Sequence, residues 1–244
     1  MRSNPAEQNG PSGVLVIDKA PDMTSHDVVA IARRALNTKK IGHCGTLDPM
    51  ATGLLMLVIG RATKIQDLLM SEDKEYEGTM TLGATTSTQD RQGEVQETRE
   101  VPAFTAEQID AAFARYTGDF EQIPPMVSAI KKDGVPLYKL ARKGQTIERE
   151  PRPVRVTGYT VNRIELPEID FSVKCSKGFY VRTYAHDIGE NLGCGGHLSA
   201  LRRTRSGKFT LDRAVTVDDL KIAPAEKLLQ AMWSLAEISL MRGA

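Results

Sequence analysis

The sequence has few aromatic side chains, few cysteines and no long hydrophobic run. Aromatic residues make up 5% of the 244 residues, with one tryptophan, and there are three cysteines. The longest apolar stretch, residues 54–59, is far shorter than the roughly 20 residues that a membrane-spanning helix needs. The polar first residues lack the apolar segment of a signal peptide. These absences argue against a membrane protein and a secreted disulfide-rich domain, so we expect a cytoplasmic protein with no membrane partner.

The cysteines do not form a convincing metal site. A zinc site could be assembled from Cys194, His197 and Cys175, but a second close pair of ligands is missing. Thiols that neither bridge nor bind metal behave as small hydrophobic side chains. We therefore expect Cys44, Cys175 and Cys194 to be buried, and no metal to be bound.

The chain also lacks an excess of charge of either sign, with a formal net charge of +1. Its basic residues are nevertheless clustered. Residues 131–155 contain eight basic and three acidic residues, and residues 201–213 contain five basic residues and one acid. Residues 33–40 contain four more basic residues. Separated basic patches on a neutral protein are typical of a surface that binds a polyanion, although each patch could also be ordinary solvated charge.

Predicted strands and helices are mixed without a regular βαβ alternation. This pattern favours an α+β fold with a mixed, mostly antiparallel sheet and flanking helices. Capping-box spacings predict helices that begin at Thr24 and Thr105, and an amphipathic pattern predicts one helix over residues 226–241. We expect residues 1–12 to be a disordered tail, residues 13–220 to be the main domain and residues 221–244 to be a short helical tail.

One acid stands alone in the segment "IGHCGTLDPMATGLLMLVIG". Asp48 lies in a glycine-flanked loop directly before Pro49, and no other acid occurs between Lys39 and Asp67. Asp48 is either a turn residue that suits an Asp-Pro step or a carboxylate presented for chemistry. A metal-dependent phosphotransferase with Asp48 as nucleophile is disfavoured, because such enzymes need further nearby acids to hold Mg²⁺.

Four ordered blocks resemble the TruB family of bacterial tRNA pseudouridine synthases. They are "GHCGTLDPMATGLL", "DKEYEGTMTLGATTSTQD", "EQIPPMVSAIKKDGVPLYKLARKGQ" and "CSKGFYVRTYAHDIGENLGCGGHLSALRRTRSGKF". The resemblance runs from about Val14 to about Leu220. It implies the pseudouridine synthase fold with an inserted loop that clamps RNA. It also implies isomerisation of a flipped-out uridine in the T-arm loop of tRNA, without metal or organic cofactor.

The sequence departs from the family pattern in two places. Family members usually carry a small C-terminal RNA-binding domain, and we expect that domain to be absent here. The segment "DKAP" stands where the family often has Lys-Pro, but Lys19 is retained.

The resemblance assigns roles around Asp48. It implies Asp48 as the catalytic nucleophile or base, and leaves open a sugar adduct, attack on the base ring or removal of a ribose proton. Because burial alone would raise the pKa of such a carboxyl, we expect a buried cation, Arg182, as its partner. Tyr76 is expected to stack on the target base and to join Asp48 and Arg182 in the catalytic set.

The remaining predicted site residues contact the RNA. The resemblance implies that His43 fills the gap left by the flipped nucleotide. Substrate binding is predicted for His43, Tyr76, Tyr180, Leu201 and Lys19. Contacts to the RNA backbone are predicted for Lys131, Lys132, Arg142, Lys143, Arg202 and Arg203.

A second function uses the same basic surface. A tRNA-binding folding helper with little or no catalysis would also need these cations. The joint presence of Asp48, Tyr76 and Arg182 favours the isomerase, because binding alone does not require that set. In either case tRNA is the expected partner, and we expect a monomer.

Overall fold

The computed structural model describes residues 10–128, 130–132, 134–137, 140, 144–145 and 147–243. Most of the predicted N-terminal tail lies outside these residues. The chain divides into two compact units. Unit 1 comprises Met1–Lys74 and Arg202–Ala244, and unit 2 comprises Glu75–Leu201. Both units mix helices with largely antiparallel strand pairs, so the predicted α+β class with a mostly antiparallel sheet is confirmed.

Unit 1 begins with a strand and a helix and ends with three short helices. Its strands are β1 (Gly13–Lys19), β2 (Ile41–Cys44), β3 (Thr52–Ile59), β13 (Val215–Thr216) and β14 (Trp233–Ser234). Its helices are α1 (Ser25–Ala35), α2 (Gln66–Met70), α5 (Val217–Ile222), α6 (Ala225–Ala231) and α7 (Leu235–Arg242), and a 3₁₀ segment covers Gly60–Ile65.

The buried strand β1 organises the sheet of unit 1. It pairs antiparallel with β3 over its whole length and parallel with β13. β2 pairs antiparallel with β3, in the register Ile41↔Ile59 to Cys44↔Met56. Alternate side chains of β1 and β3 enter one apolar cluster with Leu69, Phe209 and Ile238. The seven residues between β2 and β3, which include Asp48, are therefore fixed at both ends by a buried sheet.

Unit 2 contains most of the longer strands. Its strands are β4 (Lys74–Leu82, whose first residue belongs to unit 1), β5 (Ala84–Thr86), β6 (Val95–Thr98), β7 (Gly118–Gln122), β8 (Lys131–Lys132), β9 (Val135–Pro136), β10 (Arg152–Glu165) and β11 (Glu168–Cys175). Its helices are α3 (Ala106–Ala114) and α4 (Val181–Asn191). β12 (Gly196–Ser206) begins in unit 2 and ends in unit 1.

Aromatic side chains form the centre of unit 2. The strand order is β12, β4, β11, β10 and β7, and β10 pairs antiparallel with both β11 and β7. Helix α4 packs Tyr184 against this sheet and against α3. Its ring centroid lies 5.9 Å from that of Phe171 on β11 and 5.7 Å from that of Phe113 on α3. This packing fixes the start of α4, where Tyr180 and Arg182 are located.

Two capping predictions are confirmed, and one helix prediction is wrong. Thr24 and Thr105 each close a capping box at the start of α1 and α3. The single helix predicted over residues 226–241 is two helices, because Met232 is extended and Ser234 caps a new helix with Glu237. The intervening β14 pairs with β1, so hydrogen bonding to the sheet interrupts a pattern that favours a helix.

Candidate active site

The loop that carries Asp48 begins with a glycine in the left-handed region. Gly45 has φ +80°, and a Cβ at this position would approach Nη1 of Arg203 to 3.2 Å. Both the backbone conformation and the neighbouring guanidinium therefore favour glycine here. Asp48 is half-buried, and its carbonyl accepts a hydrogen bond from the Ala51 N–H at 3.0 Å, which closes the Asp-Pro turn.

Lys19 holds the far end of this loop. Its side chain is 1% exposed at the end of β1, and Nζ donates to the carbonyls of Ala20 at 2.8 Å, Pro49 at 3.1 Å and Ala51 at 2.7 Å. An ammonium has three N–H groups, which match three acceptors. The cation of Lys19 therefore ties the end of β1 to Pro49 and Ala51, the first and third residues after Asp48.

Two more buried side chains hold the near end of the loop. Ser25 Oγ accepts from the Leu47 N–H at 2.9 Å and donates to the Leu47 carbonyl at 3.2 Å. Arg203, 2% exposed on β12, donates from Nη2 to the Gly45 carbonyl at 3.1 Å and from Nε to the Leu54 carbonyl at 2.7 Å. We call Lys19, Ser25 and Arg203 the loop frame. It fixes backbone groups on both sides of Asp48.

Lys19 also supplies positive charge close to Asp48. Burial lowers the pKa of Lys19 to about 8, and the negative charges of Asp22, Asp48 and Asp27 partly oppose this shift. Lys19 is therefore protonated at neutral pH. Because the attraction between the two charges is mutual, Lys19 favours the ionised form of the Asp48 carboxylate.

Two predicted RNA contacts are buried cations. Lys19 was predicted to bind substrate, and its Nζ donates to the carbonyls of Ala20, Pro49 and Ala51. Arg203 was predicted to contact the RNA backbone, and its buried guanidinium donates to two carbonyls. Both cations bond to the protein interior, and their predicted contacts with RNA stay predictions.

His43, on β2, is partly buried beside a second imidazole. The His26 and His43 rings are 5.2 Å apart between centroids and nearly perpendicular, at 82°. Burial, together with the charges of His26 and Arg203, lowers the pKa of His43 to about 4. The ring is thus neutral at pH 7, which suits the predicted role of a flat spacer better than that of a titrating group.

Arg182 lies in unit 2, at the first turn of α4, and it is 3% exposed. Nη1 donates to the Thr88 carbonyl at 2.9 Å, Nη2 donates to the Val127 carbonyl at 2.8 Å, and Nε lies 3.7 Å from Oδ2 of Asp90. Asp90 ends the quoted block "DKEYEGTMTLGATTSTQD" and was not among the predicted site residues. The predicted pairing of Arg182 with Asp48 stays a prediction.

Tyr180 is held through its backbone. The buried Gln122 side chain accepts from the Tyr180 N–H at 2.8 Å and donates to the Tyr180 carbonyl at 3.1 Å. These bonds occupy the backbone N–H and carbonyl of Tyr180, so its predicted substrate contact falls to the phenol ring. Leu201 is 8% exposed on β12, and Tyr76 is half-buried on β4. Their predicted contacts with uracil stay predictions.

The cations predicted to contact the RNA backbone lie in different environments. Arg202 is partly exposed and forms a bidentate pair with Asp18 at 2.7 and 3.0 Å. Lys131 and Lys132 form the short strand β8, which pairs with β9, and only their strand positions are described. Arg142 and Lys143 lie outside the described residues.

The three cysteines are buried thiols, as predicted. Burial raises the pKa of the Cys44 thiol to about 12, so Cys44 is not a thiolate at neutral pH. Within the described ranges, no group of three or more His, Cys, Asp and Glu side chains could hold a metal ion. No helix in the described part of the chain is both long and apolar enough to span a membrane.

Comparison with known proteins identifies the family. Residues 33–181 match the model of the N-terminal domain of TruB family pseudouridylate synthases. Residues 182–237 match that of the tRNA pseudouridylate synthase B C-terminal domain. The chain is 57% identical to the tRNA pseudouridine synthase B of Opitutus terrae, over 88% of this chain and 90% of that protein. It is 46% identical to that of Syntrophotalea carbinolica, over 93% of this chain and 74% of that protein.

Solved structures agree with the sequence comparison. A Cbf5-Nop10-Gar1 complex matches with a TM-score of 0.72 and 29% identity, over 98% of this chain and 68% of that chain. An H/ACA RNP bound to a substrate RNA containing 2′-deoxyuridine matches with a TM-score of 0.64 and 28% identity, over 94% of this chain and 68% of that chain. From these matches and the motif around Asp48, we conclude that the chain belongs to the TruB family of pseudouridine synthases, which are isomerases.

Proposed function

We propose that the chain converts one specific uridine in the T-arm loop of tRNA to pseudouridine, with Asp48 as the catalytic nucleophile or base on a flipped-out nucleotide. The relatives reported above are named tRNA pseudouridine synthase B, which supports tRNA as the substrate. The choice of the T-arm loop and the role of Asp48 rest on the resemblance of the motif blocks and on the loop frame.

The reaction exchanges one glycosidic bond for another. The bond between C1′ of the ribose and N1 of uracil breaks, the base rotates, and a bond forms between C1′ and C5. The proton at C5 is lost, and N1 gains a proton, so atoms and charge balance without a cofactor. Asp48 either attacks C1′, adds to the base ring or removes a ribose proton. Each route needs an ionised carboxylate held in a fixed position.

The loop frame is the observation that carries this proposal. Three buried side chains bond to backbone groups of the Asp48 loop, and one of them is a cation whose charge favours the ionised carboxylate. A turn acid with no chemical role would not need two buried cations to fix its loop, because desolvating each cation costs several kcal/mol. The frame supports the presentation of a charged, rigid carboxylate.

The other predicted residues complete the proposal. Tyr76 stacks on the extruded base and replaces part of the stacking energy lost on flipping, and Arg182 acts with Asp48 and Tyr76 in the catalytic set. Tyr180 and Leu201 line the uracil pocket. Lys131, Lys132, Arg142, Lys143 and Arg202 contact phosphates, which adds affinity that depends strongly on salt.

Tritium release tests the substrate. An unmodified T-arm stem-loop with tritium at uridine C5 should lose tritium to water when incubated with the protein, because C5 exchanges its hydrogen for C1′. A stem-loop with the same stem and a scrambled loop sequence should lose none. Equal release from both RNAs would contradict T-arm specificity, and tight binding without any release would favour the folding-helper function.

A further inference from the structure

The loop between β5 and β6 is strained at one residue. Gln89 has φ +62°, which places its backbone in the left-handed region. Glycine adopts this conformation without steric cost, whereas a residue with a Cβ is strained there. Such strain persists where the surrounding structure fixes the conformation, and it is concentrated at functional sites. A glutamine at this position therefore points to a role for its side chain.

The backbone around Gln89 is fixed by the neighbouring strand β12 and by its own loop. The Gln89 carbonyl accepts from the Leu198 N–H at 3.0 Å, and the Arg91 N–H donates to the Leu198 carbonyl at 2.9 Å. The buried Asp90 carboxylate accepts from Thr88 Oγ1 at 2.6 Å. These bonds on both sides of Gln89 hold it in the left-handed conformation.

The side chain of Gln89 reaches the first turn of α4. Its Oε1 accepts a hydrogen bond from Oγ1 of the buried Thr183 at 2.7 Å. The preceding helix residue, Arg182, donates to the Thr88 carbonyl at 2.9 Å, and its Nε lies 3.7 Å from Oδ2 of Asp90. Three consecutive loop residues therefore contact two consecutive residues of the helix.

The start of α4 depends on contacts of this kind. Among the described residues, its N-cap residue, Tyr180, makes no side-chain capping bond, whereas α1 and α3 each begin with a capping box. The first N–H groups of a helix lack partners within the helix, so a helix end without a cap is less stable. At α4, Gln122 bonds to the Tyr180 backbone and Gln89 bonds to the Thr183 side chain. Two distant glutamines thus hold the first turn.

The geometry points to Gln89 as a positioning residue: its side chain holds Thr183 and, through the first turn of α4, sets the position of the Arg182 guanidinium. The inference rests on the proposed function, in which Arg182 belongs to the catalytic set. Arg182 and Thr183 are adjacent in one helical turn, so a shift of that turn moves both side chains. A small displacement of a catalytic group lowers the rate strongly, even when the substituted residue does not touch substrate.

Paired substitutions test this role by tritium release from the T-arm stem-loop. Gln89→Met keeps the length of the side chain but removes the acceptor, and Thr183→Val keeps the shape of the partner but removes the donor. Each should lower kcat about 5- to 50-fold and leave KM within about twofold, because the affected group acts in the transition state. The double variant should be no slower than the slower single variant, since both changes remove the same hydrogen bond.

Three further variants separate positioning from stability. Gln89→Gly removes the backbone strain together with the acceptor, so it should melt within about 2 °C of the wild type while its kcat falls as in Gln89→Met. Thr183→Ser keeps the hydroxyl and should keep kcat within about twofold of the wild type. Gln92→Met changes an exposed glutamine of the same loop, and as the matched control it should alter neither kcat nor the melting temperature.

NMR of protein with isotope-labelled arginine reads the position of Arg182 directly. Its guanidinium is buried and bonded to carbonyls, so its Nε–H should exchange slowly with water, and loss of the signal in Arg182→Lys assigns it. The signal should shift and exchange faster in Gln89→Met and in Thr183→Val. It should stay unchanged in Gln92→Met.

Wild-type kcat in both Gln89→Met and Thr183→Val would overturn the inference, and so would an unchanged Arg182 signal in both variants. A double variant much slower than either single variant would also overturn it, because the two residues would then act separately. The NMR signal does not depend on turnover. If the wild type releases no tritium but the signal responds as expected, the proposed function fails and the role of Gln89 in holding Arg182 stands.

Discussion

Replacement of Arg203 by methionine should loosen the Asp48 loop. The guanidinium is 2% exposed and donates to the Leu54 carbonyl at 2.7 Å and to the Gly45 carbonyl at 3.1 Å. Methionine has a similar length, but it cannot donate to either carbonyl. Gly45 lies three residues before Asp48, so loss of its anchor should let the carboxylate sample positions that are not productive.

The magnitude follows from the two hydrogen bonds. Bonds from a charged donor contribute about 1.5–3 kcal/mol each, which gives roughly 3–6 kcal/mol for the pair. The variant avoids the several kcal/mol needed to desolvate a guanidinium, so the net loss is smaller. We expect Arg203→Met to lower the free energy of unfolding by about 2 kcal/mol and to lower kcat about 10- to 100-fold.

Arg202→Met is the matched control, since this neighbour forms a partly exposed pair with Asp18. Such pairs contribute about 0.2–1 kcal/mol, so the free energy of unfolding should change little. Urea denaturation gives the stability of both variants, and tritium release at saturating RNA gives kcat. If Arg203→Met were as stable as Arg202→Met and turned over at the wild-type rate, the loop frame would have no role in presenting Asp48.

Three further substitutions should have distinct effects. Lys19→Met leaves three carbonyls without their donor, and urea denaturation should show a loss of about 2–4 kcal/mol. Burial raises the pKa of Asp187 to about 6. The free energy of unfolding of the protein should therefore fall as pH rises from about 4 to 6 and this buried carboxyl ionises. Asp187→Asn should therefore be more stable than the wild type at pH 7, by about 1–2 kcal/mol, and equal to it at pH 4. Gln122→Met removes both hydrogen bonds that anchor the backbone of Tyr180. It should raise KM for the stem-loop, measured by tritium release, by a factor whose free-energy equivalent exceeds the loss in the free energy of unfolding measured by urea denaturation.

The pH prediction has an internal control of opposite sign. Hydrogen bonds from Arg163 and Thr79 lower the pKa of Asp170, so its contribution is present at neutral pH and is lost as pH falls. Asp170→Asn should thus be less stable than the wild type at pH 7 and closer to it at pH 3. Parallel pH dependence of the Asp187 and Asp170 variants would show that the two environments have been assigned wrongly.

Local sequence signals were sufficient for much of the fold. Capping boxes at Thr24 and Thr105 depend only on residues three positions apart, and the structure contains both. The prediction of a single helix over residues 226–241 was wrong because β1, a partner far along the chain, pairs with Trp233 and Ser234. Periodicity within a segment carries no information about such a partner.

The candidate site was only partly accessible from the sequence. The motif around Asp48 was recognised from the resemblance, but nothing in the local sequence indicated that Lys19 and Arg203 are buried and bonded to backbone carbonyls. Arg202 and Arg203 are adjacent in a strand, and their side chains leave it in opposite directions. No strand had been predicted at this position, so the alternation could not be applied. Ser25 and Asp90 gave no sequence signal, because their partners are backbone groups or residues far along the chain.

In the proposed function Asp48 performs chemistry and does not merely close a turn. Asp48→Asn keeps the size and turn-forming ability of the side chain but removes its charge and nucleophilicity. The direct test is tritium release from the T-arm stem-loop by Asp48→Asn, with RNA affinity measured in parallel. We expect no release above background and an affinity within about threefold of the wild type. Release at near the wild-type rate would contradict this expectation.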